Sequence, residues 1–450
     1  MEGPDSGKVY TRLQRIAELA REAPDLSFTT LAHHIDVDFL VEAWERVRKD
    51  GAVGVDGRTA KEYVQNLRGN LEDLHERFKA GTYQAPPVRR AYIPKAGGKQ
   101  RPIGIPTIED KILQKAVAMV LEEIYEQDFR DCSYGFRPCR SAHQALDRLW
   151  TGLTEMRGGW VLDVDIKSFF DTIVHAHLRD FLDRRVRDGV LRRVIGKWLK
   201  AGVLEGGQWF RPEAGTPQGG VISPLLANIY LHEVLDTWYE QEVRPRLRGR
   251  SFLVRYADDF VIVCAREDDA RRVMEVLPKR MARFGLALHP EKTRLVRFTR
   301  PVGKASRGGG GDPSGRQSFY LLGFTHYWGR SRYGNWVVKR KTARDRFTRA
   351  LRTIARWCKE HRHFELREQH RTLCRKLRGH DAYFGITGNA PALQRLRHEV
   401  SKVWRKWLDR RGGKERMTWE RFGQLLRRFP LPTARVVHSA LRLQPSAAKP

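Results

Sequence analysis

Residues 252–264 are almost wholly apolar, yet two adjacent aspartates sit in their middle. Phe252, Leu253 and Val254 lead into Tyr256-Ala257-Asp258-Asp259, and Phe260, Val261, Ile262 and Val263 follow. Short apolar runs around a break predict two buried strands joined by a tight turn. An ionised carboxylate away from water is costly unless something neutralises it. Two in succession point to a cation. Hard oxygen ligands suit magnesium, which binds through one or two carboxylates plus substrate phosphates. A local reading competes with this one, because acids at hairpin turns also hydrogen-bond the nearby backbone. Four residues alone leave both open.

Three further islands bear on the choice. Val161-Leu162-Asp163-Val164-Asp165-Ile166 alternates as a strand does, so Asp163 and Asp165 share a face opposite Val164. If Asp165 lies beside the Asp258-Asp259 turn, three carboxylates converge. Two metals roughly 3.5–4 Å apart can then be held, as phosphoryl-transfer polymerases require. Alone, Asp165 reads as the partner of a nearby Lys or Arg. Gly215-Thr216-Pro217-Gln218-Gly219-Gly220-Val221-Ile222-Ser223-Pro224 fixes a loop whose backbone can approach a ligand closely. Gln218 offers an amide donor and acceptor there; a plain strand-to-helix connection is the alternative. Residues 92–106 read as a hairpin tipped by Gly97-Gly98, with Lys95, Lys99 and Arg101 beside the tip. Such a tip suits a triphosphate or a template backbone, and a solvated turn would look the same.

The charge points to a polyanion. Lys and Arg number 84 against 53 Asp and Glu, a net +31 over 450 residues. Residues 331–450 carry 31 of the cations and only 9 of the acids, too few to interleave as on a plain solvated helix face. No apolar core segment of a signal peptide appears in residues 1–24, and no run reaches the length of a membrane span. The five cysteines, at 132, 139, 264, 358 and 374, form no Cys-x-x-Cys pair, which argues against a zinc ribbon. An odd, sparse cysteine count suits a reducing cytoplasm. The expected location is a bacterial cytoplasm or nucleoid.

The length allows roughly two to four domains. Residues 10–80 read as helices interrupted at Gly51 to Gly57, and 86–106 as extended. Residues 109–130, 175–200, 225–240 and 267–284 read as helices. Ser223-Pro224 starts the third of these. Residues 302–318, with Gly308 to Gly311, read as a flexible insertion. Residues 319–324 and 336–339 read as a strand pair, and the chain from about 340 as basic helices. There is no internal repeat.

Taken in order, several blocks resemble those of group II intron-encoded reverse transcriptases. They are Gly54-Val55-Asp56-Gly57, the 93–106 hairpin, Ser133-Tyr134-Gly135-Phe136-Arg137-Pro138, the Asp165 strand, 216–224, Tyr256-Ala257-Asp258-Asp259, His289-Pro290-Glu291-Lys292-Thr293 and Leu322-Gly323-Phe324. Lys376-Leu377-Arg378-Gly379-His380, Tyr383-Phe384-Gly385 and 404–408 resemble the maturase X domain that follows. The resemblance implies an α+β right-hand polymerase, with fingers and a split-βαβ palm followed by an all-α basic thumb or X domain. It divides the chain into a helical N-terminal extension and start of the fingers (1–85), fingers and palm (86–339), thumb (340–411) and a short basic tail (412–450).

The resemblance also implies roles. Asp165, Asp258 and Asp259 would bind two Mg2+ ions and carry catalysis. Phe170 would lie under the incoming sugar and exclude a 2′-hydroxyl. Lys95, Arg101 and Gln218 would contact the deoxynucleoside triphosphate. Pro217, Gly219, Tyr256 and Gly323 would contact the RNA template and its DNA or RNA primer. Lys376, Arg378, Arg405 and Lys406 would bind the group II intron RNA. Target DNA is a further implied partner, the tail being a candidate contact; a homodimer is left open.

The chain departs from many members in lacking paired cysteines and a His-Asn-His nuclease signature, and the glycine-rich insertion has no place in the family pattern. Two other readings stand beside the polymerase-maturase. One is a non-catalytic RNA-binding splicing cofactor, which loss of a metal carboxylate would favour; none is lost. The other is a relative recruited to host repair or phage defence.

Overall fold

A computed structural model describes residues 6–94, 100–205, 208–210, 215, 219–301, 318–411 and 416–438. Its strands are β1 (Val88–Pro94), β2 (Gln100–Ile105), β3 (Gly158–Asp165), β4 (Val203–Glu205), β5 (Gln208–Phe210), β6 (Ser251–Tyr256), β7 (Asp259–Cys264), β8 (Arg294–Thr299), β9 (Ser318–Leu321), β10 (Phe324–Arg330) and β11 (Trp336–Thr342). They form three sheets among the described residues, ordered β2-β1-β4-β5, β6-β7-β3-β8 and β11-β10-β9.

The second sheet holds the acids. In sequence, β3 is followed by helices and the β4-β5 pair of the first sheet, then the β6-β7 pair, then the helix Glu267–Arg283 and β8. In space, β7 lies between β6 and β3, and β8 lies on the far side of β3. That is a split βαβ arrangement, and the chain is an α+β protein with a helical C-terminal region, as the sequence implied. The strand interiors are buried on both faces: Ser251 to Arg255 and Phe260 to Cys264 are all buried.

Helices follow their end signals. Ile108–Asp128 starts at Thr107, whose Oγ1 accepts the Asp110 N–H at 3.2 Å, and carries Glu109 and Asp110 in its first turn. Ser223–Leu231 has Pro224 in its first turn and widens into π-helical turns at His232–Asp236 and Tyr239–Val243.

Two elements differ from the sequence reading. Residues 175–200 form two helices, His175–Asp183 and Gly189–Lys200. Asp188 divides them because its Oδ1 caps the N–H groups of Val190 and Leu191, while its Oδ2 takes those of Leu31 and Ala32. The run 319–324 is not one strand. Leu322 (φ +50°) and Gly323 (φ +83°) turn the chain back, so β9 pairs antiparallel with β10, and β11 pairs with β10 rather than with β9.

The chain forms two compact units. One comprises residues 1–145, 164–262 and 268–294, the other 146–163, 263–267 and 295–450. In the first, Ile108–Asp128 is buried nearly all round, as a central helix must be. In the second, Arg344–Glu360, Leu366–Phe384, Ala390–Asp409 and Trp419–Arg428 close around Ile354, Leu377, Leu396, Trp404 and Phe422.

Candidate active site

Tyr256, Ala257, Asp258 and Asp259 are half-buried at the β6-β7 turn, between strands that are fully buried. Ala257 has φ +56°, a left-handed conformation that a residue with a Cβ seldom adopts. The ring of Phe136, itself 57% exposed, lies 6.4 Å from that of Tyr256.

Asp165 is the last residue of β3, and β3 is the neighbour of β7. A Cβ on Gly159 would stand 2.6 Å from the Cys264 carbonyl, so the start of β3 lies against the end of β7. Strands that meet there and pair along their length must run in opposite directions. Six residues on, Asp165 comes level with the Asp258-Asp259 end of β7. Loops after β3 and before β8 are tied at the same place. The Lys167 N–H donates to the Ala287 carbonyl and the His289 N–H to the Asp165 carbonyl, both at 2.8 Å.

Strand ends align, but the side chains are not gathered on one point. Among the described residues, no three His, Cys, Asp or Glu side chains form a metal-holding group. Asp165 Oδ2 instead takes an ion pair from Lys292 Nζ at 2.7 Å. Lys292 belongs to the His-Pro-Glu-Lys-Thr block, and this pairing is the one that the local reading of Asp165 expects. The donor chemistry, three carboxylates at the adjoining ends of two strands, fits a hard divalent ion.

Phe170 follows Ser168, which is left-handed at φ +48°, in the short helix Phe169–Thr172. Phe169 is buried and anchors the turn; Phe170 is half-exposed, edge-on to it with centroids 5.4 Å apart. Gly215 seats on this turn. Its N–H donates to the Ile173 carbonyl at 2.8 Å, and a Cβ there would stand 2.8 Å from the Phe170 carbonyl. His175 Nε2 meets the Gly215 carbonyl at 2.6 Å. Gly219 (φ +119°) lies against β2, where a Cβ would stand 2.5 Å from the Gly104 carbonyl. Gln114 Oε1 takes the Val221 N–H at 2.8 Å and so holds the following residues. Arg101 is exposed on β2, paired in register with Ile93. Lys95, Pro217 and Gln218 lie outside the described residues.

In the second unit, Gly323 would place a Cβ 3.4 Å from the Phe384 ring, and Tyr383 donates its hydroxyl to the Leu322 carbonyl at 2.8 Å. The four basic residues expected to bind RNA differ in their setting. Arg378 and Lys406 are exposed. Lys376 lies 5.6 Å over the Trp357 ring. Arg405 is committed within the protein, 4.2 Å over the Trp419 ring and donating to the Met417 carbonyl at 2.8 Å.

The residues that escaped the sequence reading are those that hold the loops: Arg255 and its acceptors, Gln114, and His175. A signal existed for Arg255, a cation inside an apolar strand, where an ionised group needs a partner.

Residues 93–326 match the reverse transcriptase (RNA-dependent DNA polymerase) family. This chain belongs to that family. It is 36% identical over 323 residues to protein YkfC of Escherichia coli, covering 63% of this chain and 78% of that one. It is 40% identical over 303 residues to the group II intron-encoded protein LtrA of Lactococcus lactis, covering 64% of this chain and 50% of LtrA. Nuclear intron maturase 2 of Arabidopsis thaliana is 31% identical over 238 residues, covering 42% of this chain and 32% of the maturase. The resemblance read from the ordered blocks thus meets relatives named for group II introns and maturases. Among the described residues, no helix is long and apolar enough to cross a membrane.

Proposed function

We propose that this reverse transcriptase is the polymerase and maturase of a group II intron, copying RNA into DNA and binding the intron RNA to assist its splicing. The observation that carries the reading is the alignment of Asp165 with the Asp258-Asp259 end of the neighbouring strand. When loaded, Asp165, Asp258 and Asp259 would hold two Mg2+ ions, which lower the pKa of a primer 3′-hydroxyl and neutralise the pyrophosphate that leaves.

The chain's own residues do the rest. Arg101 and Lys95 would grip the triphosphate, and Gln218 the base or its template partner. Phe170 would fill the space under C2′ of the sugar, so a deoxynucleotide fits and a ribonucleotide overlaps. Pro217, Gly219, Tyr256 and Gly323 would follow the template and primer. Lys376, Arg378 and Lys406 would meet intron RNA phosphates, and Arg405 would hold the tail that adjoins them. Help with splicing would come by binding, because the intron RNA performs its own chemistry. Target DNA and retrotransposition follow from the same reading.

Asp258→Asn/Asp259→Asn tests both halves. Primer extension on RNA should fall by about a thousand-fold or more, the loss of several kcal/mol of metal assistance. Affinity for the intron RNA and support of splicing should stay. Extension within tenfold of the unaltered protein rejects the catalytic assignment. Loss of RNA binding in a folded variant rejects the separation of the two functions.

A further inference from the structure

Strand β6, which leads into the turn, carries a cation in its interior. Arg255 has no solvent exposure, and neither has its partner Asp236. A guanidinium has five N–H donors in a fixed fork, and here each has an acceptor. Nε donates to Asp236 Oδ1 at 2.8 Å, and Nη2 to Asp236 Oδ2. Nη2 also donates to Ser133 Oγ at 2.8 Å. Nη1 donates to Asn228 Oδ1 at 2.9 Å and to the Ala257 carbonyl at 3.0 Å. Burial works against the Arg255 charge, but the Asp236 carboxylate outweighs it and holds the group above its ordinary pKa.

The same groups close around Ala257. The Arg255 N–H donates to the Cys132 carbonyl at 2.8 Å, and the Tyr134 N–H to the Arg255 carbonyl at 2.9 Å. Asn228 Nδ2 donates to the Gly135 carbonyl at 2.7 Å. Gly135 lies so near that a Cβ on it would stand 2.4 Å from the Ala257 nitrogen. Ala257 is left-handed, a state that persists only where the surroundings over-determine it. The residues that follow it are Asp258 and Asp259.

We infer that Arg255 is a positioning residue for polymerisation: with Asp236 and Asn228 it fixes the Ala257 carbonyl, and so the direction in which Asp258 and Asp259 leave the turn. The inference rests on reading those two aspartates as metal ligands. Cohesion of the core does not account for the arrangement, because a buried ion pair adds little stability over an apolar pair of similar volume. Lysine cannot replace it, since an ammonium has three donors and no planar fork.

The test compares Arg255→Met/Asp236→Leu, Arg255→Lys and Asp258→Asn/Asp259→Asn in the full chain. The readouts are the urea unfolding midpoint, Mn2+ binding to the protein alone by electron paramagnetic resonance, and kcat and KM for primer extension. The paired apolar variant should stay folded with a lowered midpoint, because Ser133 Oγ, Asn228 Oδ1 and the Ala257 carbonyl each lose a donor. Its kcat should fall on the order of a hundred-fold, the effect of misplacing a reacting group by about 1 Å. Its Mn2+ affinity should fall about tenfold or more, as when a ligand's supporting hydrogen bonds are lost. KM for primer and template should hardly change. Arg255→Lys, which keeps a cation facing Asp236, should show the same kcat and Mn2+ losses, and it decides the matter if the paired variant fails to fold.

Unaltered kcat and Mn2+ affinity in a folded Arg255 variant would overturn the inference and leave the carboxylate reading standing, provided the double aspartate variant loses Mn2+. If the double aspartate variant binds Mn2+ as the unaltered protein does, the carboxylate reading falls and this inference with it.

Discussion

The Phe422 ring stands edge-on to Trp404, with centroids 5.8 Å apart, and both side chains are almost wholly buried. Residues 416–438 are therefore part of the helical unit and not a separable appendage. Arg405 reinforces the join through Met417 and Trp419, and Arg397 through the Pro432 carbonyl at 2.7 Å. Phe422→Ala should cost about 3–5 kcal/mol of stability, the usual range for emptying a buried phenylalanine site. Urea unfolding of the full chain measures it. Truncation after Arg411 should compromise the folding and RNA binding of the whole unit, rather than target-DNA binding alone. A truncated protein with an unchanged midpoint would show that the tail is dispensable to the core.

A second prediction concerns acid. His326 is wholly buried and stacked on Phe319 at 4.7 Å. Burial first, and then the cation of Arg340 opposite it in the β10-β11 register, push its pKa down from 6.5 to about 3. Arg340 is itself buried and paired with Asp147 at 3.0 Å. An unfolded chain binds a proton at this histidine below pH 6.5 that the folded chain refuses until about pH 3. Stability from this site is thus whole above 6.5 and falls as the pH drops toward 3. The loss by pH 5 is about 2 kcal/mol. His326→Phe keeps the stack and removes the proton site. It should raise the urea midpoint more at pH 5 than at pH 7.5, and an equal gain at both would remove the titration argument.

How much of this was legible follows from where each partner lies in the chain. Asp258 and Asp259 stood out because charge inside an apolar run is costly, a local fact. Asp165 was legible from strand alternation and the order of the blocks. Arg255 is hard to read because its side-chain acceptors are remote: Asp236 is 19 residues away, Asn228 27 and Ser133 122. Nothing in the spacing of those residues shows that they meet. Asp188 was hidden in the same way, since only the fold reveals that it caps one helix and grips Leu31 and Ala32 together. The turn at Leu322 and Gly323 is hidden because the apolar residues on each side make 319–324 read as one strand. Charge dominates the tail's sequence, whereas burial of a single ring, Phe422, decides where residues 416–438 sit.

The last prediction concerns sugar choice. Phe169 is buried and ties its turn to the core, while Phe170 is half-exposed at the same turn, held by the Gly215 backbone rather than by its own ring. Shortening Phe170 should therefore leave the fold intact and open space beneath C2′ of an incoming nucleotide. A hydroxyl there is rejected by overlap, and overlap of one extra group in a filled site costs roughly 1–3 kcal/mol. Phe170→Val should accordingly raise kcat/KM for ribonucleotides relative to deoxyribonucleotides by roughly ten- to a hundred-fold. Single-nucleotide extension with matched pairs of triphosphates gives the ratio directly. Phe169→Val is the control: it should lower stability, because Phe169 is the buried anchor. An unchanged ratio in an active Phe170→Val protein would mean that the ring lies away from the sugar, and that another group rejects the 2′-hydroxyl.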